Sequence, residues 1–294
     1  MLTLALVLSL AIGFTLGLLG GGGSMLTLPL LLYVLHMPLR DAVPSSLVIV
    51  GATSAVLLVR HLFARRVDLR AGLIFGASSM IGAYTAARLS AHVPAAPLMG
   101  LFVVLMVLTA IAMVRPRDAR DQTQAKPARH AAVRLALVGL VVGALTGLVG
   151  AGGGFVVVPA LTLTAGLTMR RAVATSVLVI TLNTAAALLG QLQHSHVDLH
   201  LVGPLTLAAV VGAMVGLQVS QRVQPSALRA GFGLFVFSMS GLVLTQEMPR
   251  LLGISLPSHS LLALMLSAVS LPWIIASTLR LVRRARTQKP SLAQ

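Results

Sequence analysis

Long apolar runs separated by short polar intervals set the pattern of this chain. In the first half they span about 2–19, 24–36, 43–60, 71–90 and 97–114. In the second they span about 132–149, 154–166, 172–190, 201–219 and 226–245, and a last run covers about 260–280. Most approach the roughly 20 residues that a helix needs to cross the hydrocarbon core. The pattern predicts a bundle of membrane helices. Two runs are too short: 24–36 and 154–166 would each give a helix about 20 Å long against a core of roughly 30 Å. They predict half-helices, or helices crossing a locally thinned region.

The second half repeats the first at a constant offset of 130, with matches at Gly13/Gly143, Gly17/Gly147, Gly20/Gly150, Pro29/Pro159, Ser46/Ser176 and Asp68/Asp198. This is duplication, not low complexity. A glycine cluster precedes each short run: Gly20-Gly21-Gly22-Gly23-Ser24 in one half, Gly150-Ala151-Gly152-Gly153-Gly154 in the other. Glycines in a row break a helix, and lipid tolerates open backbone only where it is packed in protein or lines a polar cavity. Close helix packing is the plain alternative.

Charge decides how the copies are oriented. If the short runs count as crossings, 19 of the 22 Lys and Arg fall on one side, whereas re-entry splits them 11 against 11. The positive-inside rule therefore favours five crossings per half, which inverts the second copy. The loops agree, since Arg60-His61-Leu62-Phe63-Ala64-Arg65-Arg66 is basic and its repeat partner Gly190 to His196 has no Lys or Arg. The expected fold is an all-α integral membrane protein of two inverted repeats with short, glycine-broken helices, plus one extra C-terminal helix. Its parts are a first repeat at 1–114, a basic cytoplasmic linker at 115–131, a second repeat at 132–245, the extra helix at 246–282 and a basic tail at 283–294. The N-terminus is expected outside and the C-terminus in the cytoplasm. The first run has no basic residues before it and leads into the glycine cluster, so it is read as a helix and not as a cleaved signal peptide.

Composition narrows the function classes. The chain has 294 residues, is 57% hydrophobic and 10% charged, and carries a net charge of +16. Its basic residues sit in the gaps between apolar runs, where they orient helices, so nucleic acid is not an expected partner. With no Cys, thiolate catalysis and thiolate metal sites are excluded. No metal or other cofactor is expected. The lipid bilayer is the expected partner, with the small anionic substrate that the polar residues below suggest; the chain leaves self-association open.

Polar residues inside the apolar runs gather after the glycine clusters: Ser45, Ser46, Thr53 and Ser54 in one half, Thr175, Ser176, Thr181, Asn183 and Thr184 in the other. Hydroxyls, an amide and open backbone N–H groups without a carboxylate suit a small oxyanion and suit a hard cation poorly. The candidate substrate-binding residues are Gly21, Gly22, Gly23, Ser24, Ser45, Ser46 and Thr53, with Gly152, Gly153, Gly154, Thr175, Ser176 and Asn183 from the second half. The bland reading is that each hydroxyl bonds back to its own helix. Asn183 stands out because an amide deep in an apolar helix is costly unless satisfied. His194, His196, Asp198 and His200 carry metal-ligand chemistry but fall in an expected outer loop, where no functional metal is expected. Arg88, near a helix end, fits snorkelling to the surface or a charge on an anion route.

Taken in order, the glycine clusters, the following Pro29 and Pro159, the Arg40-Asp41-Ala42 and Arg170-Arg171-Ala172 stretches and the Ser45-Ser46 and Thr175-Ser176 pairs resemble the sulfite exporter TauE/SafE family over most of residues 1–245. The resemblance implies a permease, usually an exporter of the bacterial inner membrane, for sulfite, sulfoacetate or another sulfur-containing anion. Inverted repeats with broken helices are a common build of secondary transporters working by alternating access. A permease for another small anion or organic acid, and a non-transporting membrane scaffold, are the alternatives. An intramembrane hydrolase using Ser24 or Ser78 lacks a mid-membrane histidine to serve as base, so no catalytic residue is expected.

Overall fold

The apolar runs become helices with nearly the expected limits. The computed structural model describes residues 2–21, 23–90, 95–114, 131–149, 153–191 and 197–251. These hold α1 (Leu2–Leu19), α2 (Ser24–Pro29, continued by a π-helical turn at Leu30–Val34), α3 (Leu39–Phe63), α4 (Leu69–Ser90) and α5 (Ala95–Val114). The second half gives α6 (Ala131–Val149), α7 (Gly154–Thr164), α8 (Met169–Gln191), α9 (Leu199–Ser220) and α10 (Pro225–Leu251). No strand occurs among the described residues. By length and composition α3, α8 and α9 can each cross a membrane, and α1, α6 and α7 contribute shorter apolar helices. Gly22, Gly150–Gly152, the linker at 115–130 and all residues after 251 lie outside the described residues, including the expected helix at 260–280 and the basic tail. α10 runs on to Leu251, past 245.

The two short helices are shorter than their apolar runs suggest. In the first, Pro29 cannot donate to the helical ladder, and the chain beyond it widens: Leu35 N–H bonds to the Leu30 carbonyl at 3.3 Å and Met37 N–H to that of Leu31 at 3.0 Å. The chain then leaves the helix through His36 at φ 53°, and the repeat-related residue, Gly166, does the same at φ 65°. Glycine adopts that left-handed conformation freely, while for histidine it costs about 1 kcal/mol.

Small residues let helices of opposite halves come close. α1 lies along α9, and a methyl group at Gly13 or Gly17 would fall on the Ala209 or Ala213 carbonyl. α6 lies along α4 in the repeat-related way, with Gly143 and Gly147 against the carbonyls of Ser79 and Ala83. Both pairs run in the same direction, as 13 and 17 meet 209 and 213 in ascending order. The caps repeat too: Asp68 accepts from Ala71 N–H at 3.0 Å before α4, and Asp198 from His200 N–H at 2.9 Å before α9. Phe155 of α7 meets Phe102 of α5 edge-on, with ring centroids 5.7 Å apart.

Candidate functional site: a junction of two glycine breaks

The glycine clusters, 130 residues apart in sequence, touch. A methyl group at Gly21 would fall on the main chain of Gly154, and one at Gly154 would lie 2.6 Å from the Gly21 Cα. The chain enters the first break through Gly20 at φ 77° and leaves the second through Gly153 at φ 67°, a conformation that glycine adopts without steric cost. Gly23 is buried against Ile12 and Leu16 of α1, and Gly153 against Thr146 of α6. α2 and α7 therefore begin at one place. Arg134, at the start of α6, donates to the Thr164 carbonyl at 3.0 Å, so α7 ends where α6 begins. Gly22 and Gly152, both candidates, are outside the described residues.

The candidate hydroxyls fall into two groups. Ser24 donates to the Gly21 carbonyl at 2.8 Å, Ser46 to Val43 at 2.7 Å, Thr53 to Ile49 at 2.6 Å and Ser176 to Val173 at 2.8 Å. The last three are the back-bonding that long apolar helices offer any hydroxyl, while the Ser24 bond spans the break ahead of α2. The serine bonds at Ser46 and Ser176 are repeat-related. Other groups reach across helices or are left over. Thr175 Oγ1 accepts from the Asp68 N–H at 3.0 Å, tying α8 to the turn before α4. Asn183 donates through Nδ2 to Ser79 Oγ at 2.6 Å, joining α8 to α4. Its Oδ1 has no hydrogen-bond partner, and neither do the hydroxyls of Ser45 and Ser54, all deeply buried. An unpaired buried polar group costs about 1–3 kcal/mol, and the hydroxyls of Ser9 and Thr27 are left in the same state. α3 and α8 approach at Gly51, where a methyl group would lie 2.9 Å from Thr184 Oγ1. No carboxylate appears among the buried polar residues described.

A second feature lies at one end of the bundle. Two adjoining cavities of about 470 and 220 Å³ share His61, Arg66, Leu217 and Gln221. Arg60 also lines the larger one, and Arg65, Arg170 and Arg171 the smaller. The sequence puts both basic stretches on one side of the membrane by the positive-inside count. It gives no sign that they share a wall. His61, which the sequence leaves in a basic loop, is instead 5% exposed on the last turn of α3. Ser79 was missed as well, because an ordinary small residue in α4 gains meaning only when Asn183 arrives beside it. Arg88 is exposed and stacks over Tyr84 on its own helix, 5.3 Å from the ring centroid. The Asp198 carboxylate caps α9, while His194 and His196 lie outside the described residues.

Apolar helices in number, small-residue contacts between the halves and a junction of broken helices define a multi-pass membrane protein of the transporter class. The sulfite exporter TauE/SafE family matches residues 5–243, and the chain belongs to that family. A probable membrane transporter protein of Xylella fastidiosa strain 9a5c is 30% identical over 233 residues, covering 78% of this chain and 89% of its own length. The probable membrane transporter proteins MJ0441 of Methanocaldococcus jannaschii and YdhB of Bacillus subtilis strain 168 are 26% and 25% identical. Each spans 77% of this chain, with 90% and 94% of their own lengths covered. No solved structure matches the chain.

Proposed function

We propose that this protein is a secondary transporter of the bacterial inner membrane that exports a small sulfur-containing anion, such as sulfite or an organosulfonate, by alternating access. The contact of Gly21 with Gly154 carries the reading. Two breaks that served only local helix packing would have no reason to meet. Where they meet, the N–H groups of Gly154 and Phe155 precede the first bonds of α7, which Val156 and Val157 make to the Gly153 carbonyl, and the helix dipole adds partial positive charge. The unpartnered hydroxyls of Ser45 and Ser54 on α3 are neutral groups able to donate to the same ligand, whereas Asn183 Oδ1, an acceptor, would need a bridging water or a protonated anion. With no buried carboxylate described, such donors favour an oxyanion over a metal ion.

Helix directions support two inverted copies. α1 and α9 run one way by their register, α4 and α6 share a direction, and α4 and α8 do too, since 72, 79 and 87 meet 178, 183 and 190. The ends of α3 and α9 meet at the basic cavity, so α3 runs with α9. The short turn from α3 to α4 reverses the chain, and the first copy then points opposite to the second. Two antiparallel copies around one junction can exchange conformations and expose it to each side in turn.

The glycine contacts along α1 and α6 would equally suit a scaffold, and the same junction could serve a different small anion or organic acid. Thermal stability of the purified protein against sulfite, thiosulfate, sulfoacetate, sulfate, phosphate and chloride at constant ionic strength separates these readings. A saturable rise with one sulfur oxyanion is expected, as a ligand that binds only the folded state stabilises it, and that anion should then cross proteoliposomes. A flat response together with no flux of any of the six would sink the anion reading.

A further inference from the structure

The basic cavities lie away from the glycine junction and have their own chemistry. Arg60, Arg65, Arg66, Arg170 and Arg171 are all exposed around one opening. Arg170 donates to the Val223 carbonyl at 2.9 Å, but among the described residues no carboxylate pairs with Arg60, Arg65, Arg66 or Arg171. Neither cavity has an Asp or Glu in its lining. Asp68, close to them in sequence, has turned its carboxylate to the Ala71 N–H. Five like charges around one opening repel each other unless an anion sits among them, and guanidinium groups hold oxyanions through forked pairs of N–H bonds.

The inner wall shows that this is more than a surface patch. His61, Val173 and Leu217 are 5%, 3% and 6% exposed, so the opening continues into the bundle. The Val173 side chain touches the position of Gly20 at the first break, and the main chain of Leu217 that of Gly17 in α1. One layer of side chains thus separates the cavity from the first glycine break. The repeat-related positions of Arg60, Arg65 and Arg66 are Gly190, Ser195 and His196, so the second copy carries no such set of arginines.

We propose that this cavity is a second oxyanion site, separate from the glycine junction, which takes a small divalent oxyanion from water at the inner mouth. Arg65, Arg66 and Arg171 bind it, and Val173 is the floor past which it moves to the junction. Only that last movement rests on the transport reading; binding at the mouth does not.

The test is equilibrium binding of radiolabelled sulfate to the full chain in an uncharged detergent. The R66Q/R171Q variant alters two exposed side chains, and R70Q removes an exposed arginine that lines neither cavity. Sulfate should bind R66Q/R171Q about tenfold more weakly than the parent at low salt, and R70Q as the parent does. Equal binding by the parent and R66Q/R171Q would overturn the proposal. It also fails if phosphatidylglycerol stabilises the parent in nanodiscs, the gain disappears in R66Q/R171Q and sulfate does not compete, because the arginines then hold a lipid headgroup. Vesicles of both orientations separate this proposal from the transport reading. Half-saturation for sulfite should rise in R66Q/R171Q only when the inner mouth faces the substrate, with the maximal rate unchanged. Arginine-dependent sulfate binding with no flux of any anion leaves the cavity site standing and removes the transport reading. Flux with unaltered sulfate binding does the reverse.

Discussion

Asn183 holds two distinct commitments in one side chain. Its Nδ2 is spent on Ser79, while its Oδ1 is buried without a partner, and the two ends can be tested apart. Ser79→Ala removes the helix-to-helix bond and leaves Nδ2 without that acceptor, at a cost of about 1–3 kcal/mol, but keeps the Asn183 side chain in place. Asn183→Ala removes that bond and the open oxygen together. If this end of the side chain serves the substrate, through a bridging water or a protonated anion that the oxygen can accept from, flux should fall at least about tenfold in Asn183→Ala and less than about twofold in Ser79→Ala, at equal amounts of inserted protein. Equal losses in both would make Asn183 a packing residue. The sequence made this residue conspicuous but could not divide its roles. An amide in an apolar helix is legible; the serine that meets it from 104 positions away is not. The same holds for Thr175, whose partner is the main chain of Asp68, while Ser46 and Ser176 make the back-bonds that any helix provides.

At the scale of elements, small residues along α1 and α6 decide the close packing of the two halves. Gly17→Val or Gly143→Val would drive a side chain into the main chain of α9 or α4, and overpacking of this kind costs about 1–3 kcal/mol. Both should lower the apparent Tm of the detergent-purified protein. Gly100, in α5, has open space where its Cβ would be, and Gly100→Ala should raise the Tm because alanine is the better helix former by about 1 kcal/mol. Equal effects at Gly17 and Gly100 would contradict the contact pattern. Helix limits were readable to within a few residues because lipid forces each span to be apolar throughout, and the offset of 130 was readable because Gly13, Gly17 and their partners have no substitute in a close crossing. The widening after Pro29 was not readable: proline marks where a ladder is interrupted, and the way the chain recovers depends on what surrounds it.

For the whole molecule, the proposed inverted arrangement makes a prediction about two turns. Pro38 and Thr168 are repeat-related and exposed, each just before a long helix. Because the chain has no Cys, single cysteines placed there report sidedness without background. Thr168→Cys should react with an impermeant maleimide from the cytoplasmic face, and Pro38→Cys from the opposite face. Labelling of both from one face would mean parallel copies. The pairing of α1 with α9 also bears on how the molecule is made. α1 is synthesised about 190 residues before the helix that covers its glycines, a wait of roughly 10–40 s at ribosomal speed. α6 instead emerges with α4 already in place. The glycine face of α1 therefore stays without its partner while most of the second half is translated, and the packing of the first half cannot be completed until α9 has been made.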